Sequence, residues 1–284
     1  MVSPHLLRDL RLLHRVLCPN APKASQSSTL GDLFEPVFAQ STRRAFEALE
    51  LLCAELAGAD DPARSPLASL EPFETASANL GVRARSPLQP GQLVCFYPGR
   101  IFTSEAQLPP GDQLFTNEYD NIHLARVTAS ESKAEDGKAW YPAAWRQHEA
   151  LTQRPPPHLW HGNRLAVGNL LNHPQPTQLP NVAPMAFAWP GWQQLGIESP
   201  AFWARLVPHV EVGDDGRVAR TPSGEAGQKA TFPAWPHLGL AFFALREVLE
   251  AEELLLNYRL SPPFPSWYSP VDEDALDAQV ERHL

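Results

Sequence analysis

Hydrophobic and polar residues follow two different periods along this chain, and the period changes near residue 77. Up to that point apolar residues recur every three to four positions, which predicts amphipathic helices. The first stripe predicts a helix over residues 4–17 and is formed by Leu6, Leu10, Leu13 and Leu17. The second predicts a helix over residues 42–57 and is formed by Ala45, Phe46, Leu49, Leu52 and Leu56. The Pro/Ser-rich stretch 19–38 and the proline-containing stretch 58–76 are therefore expected to be connections.

Short stretches of alternating or continuous apolar residues follow, and they predict β-strands. Leu80, Val82 and Ala84 alternate with small or polar residues, and the dipeptide Pro90-Gly91 then marks a turn before the apolar stretch 93–97. A strand, a tight turn and a second strand are typical of a β-hairpin. Further strands are predicted at residues 182–189, 239–244 and 253–258, and a short acidic helix is predicted at 271–284.

Proline content and two featureless stretches decide the expected domain organisation. The chain has 30 prolines in 284 residues, and this share, about twice the usual one, argues against a helix-dominated fold. Little periodicity is visible at about 101–165 and 190–237, which we interpret as inserts. We therefore expect a mainly β fold with N-terminal helices. It comprises a helical region with a proline-rich linker at 1–76, a domain at 77–260 that carries the inserts, and a tail at 261–284.

Composition and charge exclude several classes of protein. Hydrophobic residues make up 43% of the chain, which is enough for a substantial core, and the formal net charge is -9. Nucleic-acid binding requires a basic surface, so no direct nucleic-acid binding is expected, whereas a basic peptide substrate suits this charge. No apolar run approaches the roughly 18 residues that a membrane-spanning helix needs, so no membrane span is expected.

Cysteine and histidine positions give no indication of a metal site. Cys18, Cys53 and Cys95 stand far apart, which argues against a cysteine-based zinc site. His158 and His161 have a metal-like spacing, but they lie in an expected loop without carboxylate or thiol partners, so we interpret this stretch as a solvated loop. An odd number of cysteines without a signal peptide fits a reducing intracellular compartment, either cytoplasm or nucleus.

The N-terminal helix leaves a second localisation open. Arg8, Arg11 and Arg15 lie off its apolar stripe, and a basic amphipathic N-terminus is typical of a mitochondrial transit segment. Asp9 and Pro4 argue against that interpretation. The simpler alternative is a helix that packs on the domain.

Two polar stretches interrupt apolar runs in a way that is unusual for core strands. The first is Leu170-Leu171-Asn172-His173, followed by Pro180-Asn181, and the second is 251–258, which ends on a tyrosine. Both are explained if the fold brings them together around one small ligand. Glu252 and Glu253 look like a catalytic carboxylate pair, but adjacent strand residues point to opposite faces, so we interpret them as structural.

In their order along the chain, these pieces resemble the SET domain, the fold of most protein-lysine methyltransferases, over residues 77–260. Further matching pieces are Asn79-Leu80-Gly81-Val82, Leu88-Gln89-Pro90-Gly91-Gln92-Leu93-Val94 with Tyr97-Pro98-Gly99, and Leu245-Arg246-Glu247-Val248 ahead of Glu252-Glu253-Leu254. The stretch Asn163-Arg164-Leu165-Ala166-Val167-Gly168 is most similar to the branch of SET domain-containing protein 9, which also begins with helices.

The resemblance implies a fold and a reaction. The SET-domain fold consists of small curved sheets, β-clip like, around a threaded C-terminal segment, and its members transfer a methyl group from S-adenosylmethionine to a lysine of a protein or peptide. Tyr258 matches the catalytic tyrosine, whose hydroxyl would lie near the transferring methyl and orient the amine. Tyr97 is interpreted either as a wall of the substrate channel or as a core residue.

The same resemblance implies which residues hold the cofactor. Asn172 would bond the methionine part through its amide, and the backbone of His173 would contact the adenine. The backbone of Leu80, Gly81 and Val82 would line the cofactor, because a glycine lets the chain approach closely. The alternative for Asn172 and His173 is a buried polar pair that closes a turn.

Lysine methylation also sets a chemical requirement. The attacking amine must be neutral, although the usual pKa of lysine is about 10.4. A narrow apolar channel disfavours the ammonium form, and alignment of amine, methyl and sulfur supplies most of the remaining catalysis. The site therefore needs a rigid pocket with fixed dipoles more than it needs an acid–base pair.

Several positions depart from the family pattern and keep other functions open. Asn79 stands in place of a glycine, Asn169 in place of an arginine, Ala251 in place of a glycine, and Pro174-Gln175 in place of serine and cysteine. No cysteine cluster follows Tyr258. One alternative is accordingly a SET-fold module that binds a peptide or partner without turnover. Another is an organellar variant that methylates a metabolic protein.

Overall fold

The computed structural model describes residues 4–22, 29–56, 69–75, 80–97, 100–102, 124–126, 134–136, 163, 165–190, 194–196, 206, 211–212, 218–220, 238–259, 264 and 266–282. Its helices are α1 (Pro4–Leu17), α2 (Leu30–Leu56) and α3 (Glu273–Arg282). The larger strands are β1 (Leu70–Glu74), β2 (Leu80–Ala84), β3 (Leu93–Phe96), β7 (Val182–Ala188) and β10 (Leu238–Ala244). The short ones are β4 (Arg100–Phe102), β5 (Leu124–Arg126), β6 (Ala134–Asp136), β8 (Glu211–Val212) and β9 (Val218–Arg220).

The N-terminal helix agrees with its sequence pattern, and the second helix is longer than expected. Leu10 and Leu13 of α1 are buried, as the apolar stripe predicts. Helix α2 begins at Leu30, so the expected connection at 19–38 is wrong from residue 30 onwards. Thr29 and Asp32 explain the early start, because the Asp32 N–H donates to Thr29 Oγ1 (3.3 Å) and the Thr29 N–H donates to Asp32 Oδ2 (2.8 Å). Pro36 lies inside the helix and concealed it in the sequence.

The core of the molecule lies between α2 and a three-stranded antiparallel sheet. The strands are ordered β3-β10-β7, and β10 pairs with β7 from Leu238↔Ala188 to Ala244↔Val182. The sheet buries Phe96, Phe187, Phe242 and Phe243 completely. Helix α2 is tied to its outer strand, because Thr42 Oγ1 accepts the Ala188 N–H at 3.1 Å. Helices and sheet therefore share one continuous apolar core.

The predicted β-hairpin between residues 80 and 97 does not form. Strand β2 pairs with β1 in a separate two-stranded sheet, and β3 pairs with β10. Strand β1 lies in the stretch expected to be linker. The stretch between the two halves of the predicted hairpin pairs instead with a later part of the chain. The Leu88 N–H donates to Val248 O at 2.9 Å, and the Val248 N–H donates to Leu88 O at 3.0 Å. The turn signal at Pro90-Gly91 was correct, because Gly91 has a left-handed φ of 74°.

After β10 the chain turns and runs back between two other parts of the domain; we call residues 251–258 the inserted segment. On one edge the Leu254 N–H donates to Val82 O at 2.8 Å, and on the other the Leu256 N–H donates to Asn172 O at 2.8 Å. The segment therefore makes isolated bridges on both sides instead of the long strand expected at 253–258. The turn before it contains Ala251, whose φ of 63° is left-handed.

The remaining elements are small and agree in kind with the predicted fold. Strands β4, β6 and β5 form one sheet, and β8 and β9 form another. The acidic helix expected near the C-terminus is α3, and its first turn is capped by Asp272 Oδ1. Small antiparallel sheets, N-terminal helices and an inserted C-terminal segment confirm the predicted fold class. Within the described ranges, none of the helices has the length and apolar character needed to cross a membrane. The proposed division into domains stays a prediction.

Candidate functional site

The inserted segment brings the two polar stretches of the sequence together. Its N–H at Leu256 bonds Asn172, and the Asn181 N–H donates to Leu255 O at 3.0 Å. On the opposite edge it bonds Val82, which follows Gly81 directly. Three stretches that are remote in the sequence therefore lie side by side, as the resemblance implied.

Gly81, Asn172 and Glu253 form the polar centre of this site. Asn172 Nδ2 donates to Glu253 Oε1 at 2.9 Å. A Cβ atom built on Gly81 would lie 2.9 Å from Glu253 Oε1 and 3.0 Å from Asn172 Nδ2, closer than real Cβ contacts allow without movement. The backbone of Gly81 thus faces both side chains at close range, and a larger residue there would occupy the space between them.

Tyr258 lies beside this centre with its hydroxyl held in a fixed direction. Its Oη donates to Leu171 O at 2.7 Å, one residue before Asn172. Burial and, secondarily, the negative charge of Glu253 raise the pKa of Tyr258 well above its usual value. The side chain is therefore a neutral phenol at physiological pH, and its donated proton leaves the oxygen lone pairs available to accept.

His173 fixes the backbone at Tyr258. The Tyr258 N–H donates to His173 Nδ1 at 3.3 Å, so Nε2 carries the ring proton and donates to Ser269 O at 2.8 Å. Burial lowers the pKa of His173, although the hydrogen bond to Ser269 opposes it. The neutral ring stacks on Tyr268 with centroids 4.3 Å apart. Its side chain thus links the inserted segment to the C-terminal part of the chain. The expected contact of its backbone with adenine stays a prediction.

On the other side of the inserted segment, Asn181 and Glu252 form a closed hydrogen-bond network. Asn181 Nδ2 donates to Glu252 Oε1 at 3.1 Å and to Glu253 O at 2.8 Å, and its Oδ1 accepts the Leu255 N–H at 2.8 Å. Arg246 pairs with the Glu252 carboxylate through both terminal nitrogens. Burial alone would raise the pKa of Glu252, but Arg246, the Leu249 N–H and Asn181 outweigh it and lower that pKa.

The two adjacent glutamates therefore differ in their surroundings. Their side chains point to opposite sides, as predicted, and the structural interpretation fits Glu252. Glu253 instead lies among the candidate site residues, which the sequence analysis missed. The close approach of Gly81 is the signal that locates it, but that approach is visible only in three dimensions.

The other predicted site residues lie at the edges of this centre. Val82 is fully buried, and its carbonyl is bonded by the inserted segment; the side chain of Leu80 is outside the described residues. Tyr97 is 4% exposed and its ring lies 6.1 Å from that of Phe242, in the core of the central sheet. This position fits the core interpretation of Tyr97, and its role as a channel wall stays a prediction. Asn79, His158 and His161 lie outside the described residues.

An aromatic cluster next to Tyr258 was not anticipated. The rings of Tyr258 and Trp267 lie 6.2 Å apart at 80°, and Trp267 in turn packs edge-on against Tyr268. Trp267 is 49% exposed and Phe264 is 42% exposed. A surface pocket of about 240 Å³ lies nearby, between the loop 174–179 and residues 269–275. Trp267, Tyr268, Phe264 and one wall of the pocket lie in the predicted tail, where the sequence indicated only a short helix.

Arg259 connects the site to both ends of the described chain. Its Nε donates to Asp9 Oδ2 of α1 at 2.7 Å, and its other nitrogens pair with Asp9 and with Glu273 of α3. The three side chains are only 15–20% exposed. Arg259 has a left-handed φ of 51°. The residue that follows Tyr258 is thus clamped by two helices.

Comparisons with known proteins give a coarse similarity. No family model matches the chain, and no curated protein matches it in sequence. Among solved structures, KRYPTONITE in complex with mCHH DNA, an H3(1-15) peptide and SAH is 11% identical, with a TM-score of 0.32 over 68% of this chain and 24% of that one. An autoinhibited ctPRC2 bound to S-adenosylmethionine is 13% identical, with a TM-score of 0.33 over 75% of this chain and 16% of that one.

A third structure is the Neurospora SET domain protein DIM-5, described as a histone lysine methyltransferase. It is 16% identical, with a TM-score of 0.33 over 71% of this chain and 55% of that one. The chain thus spans well under two thirds of each of these three proteins. Such TM-scores are too low to support an inference, and the similarity to the branch of SET domain-containing protein 9 stays a prediction.

Proposed function

We propose that this protein is an S-adenosylmethionine-dependent methyltransferase of the SET-domain type that methylates a lysine of a protein or peptide. The observation that carries the proposal is the convergence of Gly81, Asn172 and Tyr258 through the inserted segment. The matching sequence pieces come from three separate parts of the chain, and a fold that served another purpose would not need to bring them together.

The residues at the site fit the polar end of the proposed cofactor. Asn172 and Glu253 offer an amide and a carboxylate at the position where a Gly81 side chain would stand. Together with the backbone of Gly81 they can bond an amino-acid group, which carries both charges. The ring of Trp267 lies 6.2 Å from that of Tyr258 and is 49% exposed, so it offers apolar surface for a nucleoside. When bound, the cofactor supplies a methyl group on a sulfonium.

Tyr258 acts in this proposal as an oriented dipole. Its hydroxyl donates to Leu171 O, so the lone pairs on its oxygen are directed away from that carbonyl and can accept an N–H of the substrate amine. The raised pKa of Tyr258 keeps the phenol neutral, which argues against a role as general base at physiological pH. His173 holds the Tyr258 backbone and thereby fixes the direction of the ring.

The substrate class follows from the chemistry required of the amine. A lysine must lose its proton before it attacks, and the burial that raises the pKa of Tyr258 also disfavours an ammonium beside its hydroxyl. The formal net charge of -9 suits a basic peptide around that lysine. These features support a protein or peptide substrate, and the lysine itself is to be found by experiment.

The first test is methyl transfer from radiolabelled S-adenosylmethionine to proteins of a cell lysate, with wild type beside Tyr258→Phe. We expect the substitution to lower the rate by about a hundredfold, since it removes the group that orients the amine. Calorimetry with S-adenosylmethionine is the control: Tyr258→Phe should bind it within about threefold of wild type, whereas Asn172→Ala should bind it far more weakly.

Two results would contradict the proposal. Unchanged methyl transfer by Tyr258→Phe would remove the role of this tyrosine. If the wild type gave no heat with S-adenosylmethionine at high concentration, the alternative of a partner-binding module without turnover would replace it. The left-handed Ala251 turn weakens one motive for that alternative, because the turn forms although glycine is absent.

Localisation is proposed to be intracellular, in cytoplasm or nucleus. Helix α1 buries Leu10 and Leu13 in the common core and pairs Asp9 with Arg259. These contacts favour the interpretation of α1 as a helix that packs on the domain, and they argue against a transit segment that is removed. A tagged chain that lacks residues 1–17 tests the mitochondrial alternative. Import that requires these residues would favour that alternative.

A further inference from the structure

We propose that Glu253 recognises the α-ammonium group of the cofactor's amino-acid portion. This inference rests on the proposed function and adds a residue that neither the sequence pattern nor the resemblance assigned to binding. Glu253 was interpreted from sequence as structural, like its neighbour Glu252. Its contacts in the fold give the two glutamates different roles.

The first argument is the position of the carboxylate. Glu253 Oε1 accepts a hydrogen bond from Asn172 Nδ2 and would lie 2.9 Å from a Cβ on Gly81. Its negative charge also reaches Tyr258. One carboxylate therefore contacts two of the residues proposed to hold the cofactor and influences the residue proposed to orient the substrate.

The second argument is charge compensation. Glu252 is paired with Arg246, and Glu71 is paired with Arg83. Arg83 lies opposite Glu253 in the backbone pairing, but its guanidinium is directed to Glu71 and lies over the ring of Phe73. Within the described residues Glu253 forms no ion pair, although it is half-buried. A carboxylate withdrawn from water without a cation is costly, and a cationic ligand would compensate it.

The third argument concerns which cation fits. S-adenosylmethionine carries an ammonium and a sulfonium, and only the ammonium has N–H groups that can donate to a carboxylate. Asn172 donates to Oε1, which leaves Oε2 as the second acceptor of the same carboxylate. A charge-assisted hydrogen bond from an ammonium to this oxygen is among the stronger ligand contacts available in proteins.

The experiment uses three ligands that separate the two charges. S-adenosylmethionine has both charges, S-adenosylhomocysteine keeps the ammonium without the sulfonium, and 5′-methylthioadenosine has neither. Calorimetry is performed on wild type, Glu253→Gln and the matched control Glu250→Gln, which removes the same charge from an exposed turn residue. Thermal unfolding of each variant checks the fold.

We expect Glu253→Gln to bind S-adenosylmethionine and S-adenosylhomocysteine at least about tenfold more weakly, with 5′-methylthioadenosine unchanged. Glu250→Gln should match wild type for all three ligands. Equal weakening for all three, weakening for S-adenosylmethionine alone, or no change would each overturn the assignment while the proposed function stands. If the wild type binds none of the three ligands, the proposed function fails and the assignment of Glu253 fails with it.

Discussion

The inserted segment has a closed side and an open side, and the two are built from similar residues. Each side combines an asparagine and a glutamate: Asn181 with Glu252 on the closed side, and Asn172 with Glu253 on the open side. On the closed side Arg246 neutralises the carboxylate and the asparagine makes three hydrogen bonds within the protein. On the open side the carboxylate meets a glycine backbone and a tyrosine.

This difference separates stability from function within one short stretch of chain. Residues whose buried hydrogen-bonding groups are paired within the protein, as those of Asn181 are with the inserted segment, contribute to the free energy of folding. Residues whose charge is left for a ligand contribute little to folding but define a binding site. Substitutions on the closed side should therefore reduce stability, and substitutions on the open side should reduce ligand affinity.

The largest expected effect on stability is that of Asn181→Ala. This fully buried side chain accepts the Leu255 N–H and donates to the Glu252 carboxylate. Its removal should lower the free energy of unfolding by about 3–4 kcal/mol, because buried polar groups lose their partners. Asn172→Ala, the matched variant on the open side, should cost only about 1 kcal/mol. Chemical denaturation measures both, and equal losses would contradict the division.

A smaller effect is expected for Glu252→Gln, which should lower the free energy of unfolding at pH 7 by about 1–2 kcal/mol. The folded pKa of Glu252 is depressed, so its contribution is present above the unfolded pKa and is lost as the pH falls through the folded value. The difference between wild type and variant should therefore shrink as the pH falls below about 4.5. A difference that stays constant in acid would exclude the charged network as its cause.

A further prediction concerns the pH dependence caused by His173. Its folded pKa is lowered, so the protein loses stability as the pH falls from 6.5 toward the folded value. We expect this loss because burial keeps the folded ring neutral while the unfolded chain takes up a proton, and protonation of Nδ1 in the fold would also break the bond from the Tyr258 N–H. His14 is buried with its pKa lowered in the same direction, so wild type must be compared with His173→Gln. An identical pH slope in both would assign the effect elsewhere.

The smallest expected effect is a gain. Ala251 adopts a left-handed φ of 63°. This backbone conformation costs free energy for a residue that carries a Cβ. Ala251→Gly should raise the free energy of unfolding by about 0.5–1 kcal/mol, since glycine adopts this conformation without strain. Ligand affinity should stay within about twofold of wild type. A decrease in thermal stability on this substitution would show that the turn does not require the glycine usual in the family.

The sequence predicted those elements whose periodicity is decided locally. Helix α1 and strands β7 and β10 were recognisable because their own residues are apolar at the expected spacing. The hairpin predicted at 80–97 was wrong, because β3 pairs with β10 and the partner of Leu88 is Val248, far away in the chain. The start of α2 was concealed by Pro36, although Thr29 and Asp32 form a readable cap.

Prediction of the candidate site had the same limit. Asn172, His173 and Tyr258 were identified by their order along the chain, and the fold brings them together. Glu253 was missed, because a sequence cannot tell which of two adjacent glutamates finds an arginine. Trp267 and the clamp on Arg259 were missed as well, since their partners come from other elements.

The clamp on Arg259 also has a consequence for the order of assembly during folding. Asp9 and Arg259 are 250 positions apart, so this contact closes a loop that contains most of the chain, and contacts of such separation form late. During synthesis α1 leaves the ribosome long before its ion-pair partner Arg259, which lies 250 positions later. Refolding experiments should accordingly recover helix and sheet signals first, and affinity for the proposed cofactor only in the slowest kinetic phase.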